Sequence, residues 1–597
     1  MKRKSNYALL LVFVVMQISC SEGFLDTRPL SFYAPENVYL NEEGFNALLI
    51  TMKKDYAIVH YDQFSIMSDQ YSYSDLCVPG SFNPLTIRDV ATYLTPAVSE
   101  GDTRFQFHNR LFDQAYNAIR NPNILISRID NVTWENEADK NFFLASAYYY
   151  RAYWYYLLVN TYGDVPFLGE ELTGPKLDFY THSRWAILKK IQSDLEFSAQ
   201  WLPVTAGIGE LTKGTANHLL TKVYLANGEF DKAIASATAV IQGPYALIRQ
   251  RFGSYKNDPK RNIFWDLHRV ENINDPANTE TISSLIDRFE APENARIIGI
   301  QSGSYLGNVL PRIFNCQWWH STTLDSKGKV GTTSSGPQYD TLFRGAATAR
   351  PSPFYLYEIW DYENDIRRSD INWVDKHEIR YNSPKSVDYG KPINPANFAN
   401  IIDSCTNLYA IPYYITFVPE QNPPGDGFGG SGDCYVFRLA ETYLLRAEAY
   451  LWKGNLDLAA ADLNTIRQRA GALPLASGVV TIDEIFDERA RELFSEEPRH
   501  SELVRVAFIM AKLNLNGYSL NNFHEKNYFY DRSLSRNVFW RTNYKVNFST
   551  QPFKIAPYNA LWPVPETVIT ANTMGIINQN TGYSGTEKNI PPIETID

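Results

Sequence analysis

Cysteine is scarce in this chain: five among 597 residues, at Cys20, Cys77, Cys316, Cys405 and Cys434. No two stand as C-x-x-C and none has zinc-ligand spacing, which excludes a disulfide-framework protein and a zinc-ribbon module. Basic clusters are missing beyond Lys2, Arg3 and Lys4, and the formal net charge is −10. Nucleic acid is therefore not an expected partner, because phosphate binding needs concentrated Lys and Arg. Long apolar runs are missing as well. Tyr7 to Met16 is the one marked run, too short to span a bilayer as a stable helix. The sequence also lacks H-E-x-x-H, a Walker loop and G-x-S-x-G, and its nine histidines never pair at i, i+4. No catalytic residue, metal site or cofactor is expected. Hydrolysis of a glycan would need two carboxyls flanking one bond, a geometry that sequence does not display.

Aromatics are plentiful, at 14%, with 39 Tyr against 12 Trp. A tyrosine packs with its ring and still bonds through its hydroxyl, so it suits both wet cores and binding surfaces. The N-terminus reads as a secretory signal over residues 1–19. Gln17-Ile18-Ser19-Cys20 resembles a bacterial lipobox with Gln17 where Leu is usual, so Cys20 is the expected lipidation site and residues 20–35 a tether.

Helical periodicity organises the rest. Tyr435 to Gly471 contains Leu439, Tyr443, Ala447 and Tyr450 at three- and four-residue steps, then Gly454, then Leu456, Ala459, Leu463 and Ile466 on one face. This is one tetratricopeptide-type helix pair. Gly214 to Gly243 overlays on it, with Tyr224 matching Tyr450, Gly228 matching Gly454, Phe230 matching Leu456 and Ala233 matching Ala459. Such pairs cannot bury their apolar faces alone and must stack on further helices. Further helices are expected over Glu36 to Tyr56, over Phe105 to Ile129 with an interruption near Pro122, over Glu135 to Tyr162 and over Ser183 to Leu202. The third is aromatic on every side, carries Arg151 as its only charge between Phe143 and Val159, and should be central. Thr481 and Glu484 form a capping box for a helix to Phe494, whose charges from Glu488 to Glu496 read as a salt-bridged face.

The expected fold class is mostly α: a helix-pair scaffold with a large loop-rich insertion carrying short strands, such as Tyr413 to Val418. The parts are residues 36–243 with the first helix pair, the irregular stretch 244–433, residues 434–512 with the second pair, and a loop-rich 513–597. Gly425 to Asp433 reads as a flexible loop; its acids lack EF-hand spacing.

A glycan binder needs flat aromatic faces for sugar rings and carboxylates, amides or Arg for hydroxyls. Two stretches offer both. In Asp69-Gln70-Tyr71-Ser72-Tyr73-Ser74-Asp75, an extended backbone would place Asp69, Tyr71, Tyr73 and Asp75 on one face. In Cys316-Gln317-Trp318-Trp319-His320, adjacent side chains of a strand diverge, so one indole is expected outside the core. The candidate ligand-binding residues are Asp69, Tyr71, Tyr73, Trp318, Trp319 and His320.

Taken in order, five features resemble the SusD/RagB family of outer-membrane nutrient-binding lipoproteins, over almost the whole mature chain. They are Cys20 followed by FLDTRP; AYYYRAYWYYLLVNTYGDVPF from Ala147; FRLAETYLLRAEAYLWKGNLDLAAADLNTIRQRAG; ERARELFSEEPRHSELVRV from Glu488; and the tail WPVPETVITAN with INQNTGY. Besides Gln17, the chain departs at Glu497-Pro498-Arg499-His500, where the family has an E-G-x-R turn. The resemblance implies a lipid-anchored, non-enzymatic cell-surface protein. It would cap a SusC-like TonB-dependent transporter in the outer membrane and hand it oligosaccharides or, in some members, peptides. A helical adaptor that binds only proteins is the alternative from another class.

Overall fold

The computed structural model describes residues 39, 41–62, 64–81, 83, 85–97, 107–291, 307–398, 407–421, 427–546 and 549–596. The signal segment, Cys20, the tether and Cys405 lie outside them. Among the described residues no helix is long and apolar enough to cross a membrane.

Twelve helices of seven residues or more make up the described scaffold: α1 Glu42–Ala57, α2 Ile66–Ser72, α3 Phe107–Arg128, α4 Glu137–Val159, α5 Arg184–Trp201, α6 Lys213–Asn227, α7 Phe230–Ile241, α8 Leu439–Trp452, α9 Leu456–Arg469, α10 Ile482–Glu492, α11 Arg499–Lys512 and α12 Tyr528–Arg536. From α3 to α9 each packs against the next in one continuous row. The row passes from α7 directly to α8, so the first pair, α6/α7, stacks on the second, α8/α9, although the whole irregular stretch separates them in sequence. Phe230 of α7 stacks on Trp452 of α8 with ring centroids 6.3 Å apart.

The overlay of the two pairs holds at the level of hydrogen bonds. Gly228 and Gly454 follow α6 and α8 with φ of 79° and 75°. Their N–H groups donate to Leu225 O and Leu451 O, both at 2.9 Å. The following residues, Glu229 and Asn455, donate back to Tyr224 O and Tyr450 O at 2.8 and 2.9 Å. This double closure needs a left-handed residue, which only glycine adopts without cost. Fully buried Ala233 and Ala459 then let the paired helices approach.

From Asn141 onward, only Phe142, Leu144 and Tyr148 of α4 escape full burial, as an all-apolar helix requires. Its one interior charge, Arg151, is held by Asp194 of α5 at 2.7 and 3.0 Å. Helix α3 differs from expectation: it runs unbroken through Pro122. Ala118 and Ile119 before the proline and Ile124 and Leu125 after it are all buried, so packing on both sides offsets the missing backbone bond.

Among the described residues, three two-stranded antiparallel sheets hold the irregular parts. Strands β2 Val165–Pro166 and β3 Thr181–His182 pair after α4. Strands β4 Thr281–Leu285 and β6 Cys434–Arg438 pair across the neck of the insertion, and β6 leads straight into α8. Strand β1 Cys77–Val78 pairs with β5 Arg350–Pro351, tying the N-terminal part to the insertion. Tyr413–Thr416 is a helical turn rather than the expected strand: Ile415 N and Thr416 N donate to Pro412 O and Phe417 N to Tyr413 O, while Tyr414 N alone reaches a neighbouring segment, at Asn372 O.

The charged face of α10 is salt-bridged, but it points inward. Glu488 and Arg489 are fully buried. Arg367 from the insertion contacts Glu488 and Glu492, each at 2.9 Å. Arg438 at the end of β6 contacts Glu280, Glu492 and Glu496, each at 2.7 Å. Glu441 of α8 meets His218 and Lys222 of α6 and Arg489 of α10, and Arg505 of α11 meets Glu448 and Glu502. Burial alone would raise the Glu492 carboxyl, but Arg469, Arg438 and Arg367 outweigh it and hold it at about 2.

Candidate functional site

The segment from Asp69 to Asp75 is not extended. Ser65 Oγ accepts Ser68 N at 3.2 Å and starts α2, which turns Tyr71 to the side opposite Asp69 and Tyr73, themselves one helical turn apart. Tyr71 is fully buried, its hydroxyl donating to Leu493 O at 3.1 Å and accepting Ser495 N at 2.8 Å. Tyr73 stacks on Phe107 at 3.9 Å and donates to Ile87 O at 3.1 Å. Asp69 is buried beside Arg110, 2.9 Å away, and desolvation still lifts its carboxyl to about 7. Asp75 lies between Arg499 and Arg532, which outweigh burial and hold it at about 2. Tyr71 and Asp75 tie this segment to the C-terminal helices, Asp69 and Tyr73 tie it to α3, and all four are buried. A hydroxyl or carboxylate in this sequence pattern serves buried polar groups as well as it would a sugar.

The tryptophan pair divides, one in and one part-way out, but not because it is a strand: it sits in a turn closed by His320 N on Gln317 O at 3.0 Å. Trp318 is fully buried, its indole N–H donating to Phe343 O at 3.1 Å. Trp319 is partly buried and donates to Gly345 O at 2.8 Å. Both bonds go to one run of backbone, residues 343–345, which passes so close to residues 315–316 that a Cβ on Gly345 would lie 2.4 Å from Asn315 O and Cys316 O. A glycine is required at that crossing. Cys316 beneath it is inert, since burial pushes its thiol up to about 12.

Around Trp319 the structure gathers residues that the sequence reading passed over. The Arg344 guanidinium lies 4.6 Å from the Trp319 ring centroid and 5.4 Å from that of Phe428. Arg312 sits 4.3 Å from the Phe428 ring and donates to Arg344 O at 3.0 Å. Phe428 is partly buried and comes from the glycine-rich loop, where Gly427 O accepts Arg344 N at 2.7 Å. Over its described residues, 427–433, that loop is closely packed: a Cβ on Gly429 would lie 2.3 Å from Asn308 O. A single aromatic residue inside a glycine run was the signal available for Phe428; nothing local marked Arg312 or Arg344. His320 completes the group, partly buried, with its Nδ1 at 3.1 Å from Thr322 Oγ1. Desolvation lowers its pKa, so the ring is neutral at neutral pH.

The result is a rigid aromatic–guanidinium surface: two rings, two forked donors and a neutral imidazole. It offers apolar area together with hydrogen bonds to hydroxyls.

Comparison with known proteins gives a consistent answer at three levels. The profile described as "SusD family" matches residues 357–583, and that described as "Starch-binding associating with outer membrane" matches residues 24–225. SusD-like protein P25 of Formosa agariphila is 21% identical over 534 residues, covering 84% of this chain and 90% of that protein. Starch-binding protein SusD of Bacteroides thetaiotaomicron is 36% identical over 126 residues, covering 19% of this chain and 22% of that protein. Among solved structures, a laminarin binding SusD-like protein superposes with a TM-score of 0.61 at 20% identity, covering 91% of this chain and 100% of that one. Surface glycan-binding protein A from Bacteroides thetaiotaomicron, in complex with laminarihexaose, does so with a TM-score of 0.59 at 15% identity, again over 91% and 100%. Matched at both ends of its sequence and along the length of its fold, the chain belongs to the SusD/RagB family.

Proposed function

We propose that this protein binds oligosaccharides at the cell surface and passes them, unaltered, to a SusC-like TonB-dependent transporter in the outer membrane, to which a lipid on Cys20 keeps it close. The observation that carries the reading is Trp319: a partly exposed indole, fixed by Gly345 O and flanked by Arg344 and Phe428, in a member of this family. Trp319 and Phe428 would take the apolar faces of sugar rings, and Arg344, Arg312 and His320 their hydroxyls. Relatives described as binding laminarin or crystallised with laminarihexaose support an oligosaccharide as the ligand class.

Covering about 100 Å² of apolar surface stabilises by roughly 2.5 kcal/mol. Two such platforms must also offset the cost of association, so affinity should fall in roughly the micromolar to millimolar range. Such weakness suits a receptor that releases its cargo.

The test is calorimetric titration of the mature protein against a panel of oligosaccharides, with each mixture assayed afterwards for new reducing ends. Saturable binding without new ends supports a binding protein. New ends would make it a hydrolase, and binding only to peptide mixtures would make the cargo a peptide.

A further inference from the structure

A cleft of about 490 Å³ opens on the N-terminal part of the scaffold, walled by α3, by the loop between β2 and β3, and by the C-terminal tail. Its volume lies within the range of small-molecule sites, about 300–1,000 Å³. Its residues are not those of the Trp319 surface.

The walls are pinned. Tyr116 of α3 donates its hydroxyl to Pro166 O at 2.6 Å, and Asn123 donates to Leu168 O at 2.8 Å. Arg128 grips Glu171 with two bonds of 2.6 and 2.8 Å. On the far side Asn572 brackets Phe179, accepting its N–H and donating to its carbonyl, both at 2.8 Å, and Met574 N donates to Leu177 O at 2.8 Å. The cleft is therefore formed before any ligand arrives.

Its lining divides in two. The floor is apolar: Phe112, Tyr116, Leu168, Leu172, Phe179 and Ile577. Leu172 is 44% exposed, which leaves its side chain open to a ligand. The rim is polar. Asp113, Asn117 and Arg120 follow one another at i, i+4 and i+7 along α3, and Glu170 lines the cleft from the loop. All four are exposed, and Arg120 also acts on the nearby Asp55 carboxyl, whereas Tyr116, Asn123 and Glu171 have spent their polar atoms on the walls. Desolvation by the cleft raises the Asp113 carboxyl above its ordinary value.

The floor can cover an alkyl chain or an aromatic ring. The rim supplies acceptors from Asp113 and Glu170, donors from Arg120 and both from Asn117, a mixture that matches hydroxyls rather than a single charge. We propose that this cleft is a second binding site, separate from the Trp319 surface, for an alkyl- or aryl-substituted sugar: the substituent lies on the floor and the sugar hydroxyls meet the rim. The apolar half of that class rests on the lining alone; the sugar half rests on the oligosaccharide reading above.

The experiment uses the full mature chain and three probes: n-octyl β-D-glucopyranoside below its micelle-forming concentration, methyl β-D-glucopyranoside and octane-1,2-diol. Calorimetry should show one saturable site for the octyl glucoside, at least tenfold tighter than either other probe. Asn117→Trp, which fills the cleft from an exposed helix position, should weaken it at least tenfold. Leu172→Asp, on the opposite wall, should do the same should Asn117→Trp prove poorly folded. Trp319→Ala should leave octyl glucoside binding unchanged. Equal binding of the octyl and methyl glucosides, diol binding as tight as the octyl glucoside, or octyl glucoside binding indifferent to both cleft variants would overturn the proposal. The proposed function fails by a different result, no binding of any unsubstituted oligosaccharide by the wild type, whatever the octyl glucoside does.

Discussion

Trp318 and Trp319 are covalent neighbours with opposite surroundings, and their substitutions should separate cleanly. Trp318→Ala empties a fully buried site and orphans Phe343 O, so it should cost about 3–5 kcal/mol and lower the melting temperature by several degrees. Thermal denaturation checks this; an unchanged melting temperature would mean that the indole is not packed as described. The division was legible in the sequence as an outcome but not in its cause, since the two residues lie in a turn closed by His320 N on Gln317 O rather than in extended chain. Which of the two lies outward was not, since that depends on residues 343–345, which come from elsewhere in the insertion. The reading of Asp69, Tyr71 and Tyr73 failed for a related reason. Ser65 begins a helix there, and the buried backbone at Leu493 and Ser495 claims the Tyr71 hydroxyl. Composition alone cannot tell a tyrosine that satisfies a core from one that greets a sugar.

Among the elements, the two helix pairs were the most legible. Their glycines fix the turn, and the matching bonds of Glu229 and Asn455 show why the spacing repeats. A Cβ at either Gly228 or Gly454 would meet no atom within 4 Å, so the whole effect of alanine there comes from the left-handed backbone. Gly228→Ala and Gly454→Ala should each cost about 1–2 kcal/mol, and by similar amounts, measured as the drop in melting temperature of each variant. A large difference between the two would deny their equivalence. Helix α10 was legible as ion-paired but not as buried. Its partners, Arg367, Arg438 and Arg469, lie outside the local window, so only the assembled fold shows that the face turns inward. The short elements of the insertion were the least legible, because contacts distant in sequence decide their shape.

At the scale of the molecule, the buried ion network joins the helix pairs, the insertion neck and the C-terminal helices, and it sets the response to acid. Asp75 and Glu492, against ordinary values of 3.8 and 4.5, are held at about 2, and Glu488 is depressed further. A carboxylate depressed in the folded state stabilises it fully above its unfolded pKa and loses that contribution as pH falls through the folded value. A two-unit shift corresponds to about 2.7 kcal/mol per group. Between pH 7 and 4 two sets oppose each other. His60, His108 and His500, lowered to about 4 by burial, lose stability on acidification as the unfolded chain takes up protons first. Asp55 and Asp69, raised by burial to about 6 and 7, gain it. Below pH 4 only the depressed carboxylates remain of these groups, so the steep fall in melting temperature should lie between pH 4 and 2. A flat profile across that interval would show that the network does not hold the fold together.

The central claim is that a helical scaffold, built with Tyr71 in its core, carries an oligosaccharide platform at Trp319. The most direct measurement titrates wild type, Trp319→Ala and Tyr71→Phe with the oligosaccharide that binds most strongly in the panel, alongside their melting curves. The account predicts that Trp319→Ala weakens binding at least tenfold with only a small change in melting temperature, and that Tyr71→Phe lowers the melting temperature and leaves the affinity where it was. Unaltered binding by Trp319→Ala, or lost binding by a folded Tyr71→Phe, would contradict it.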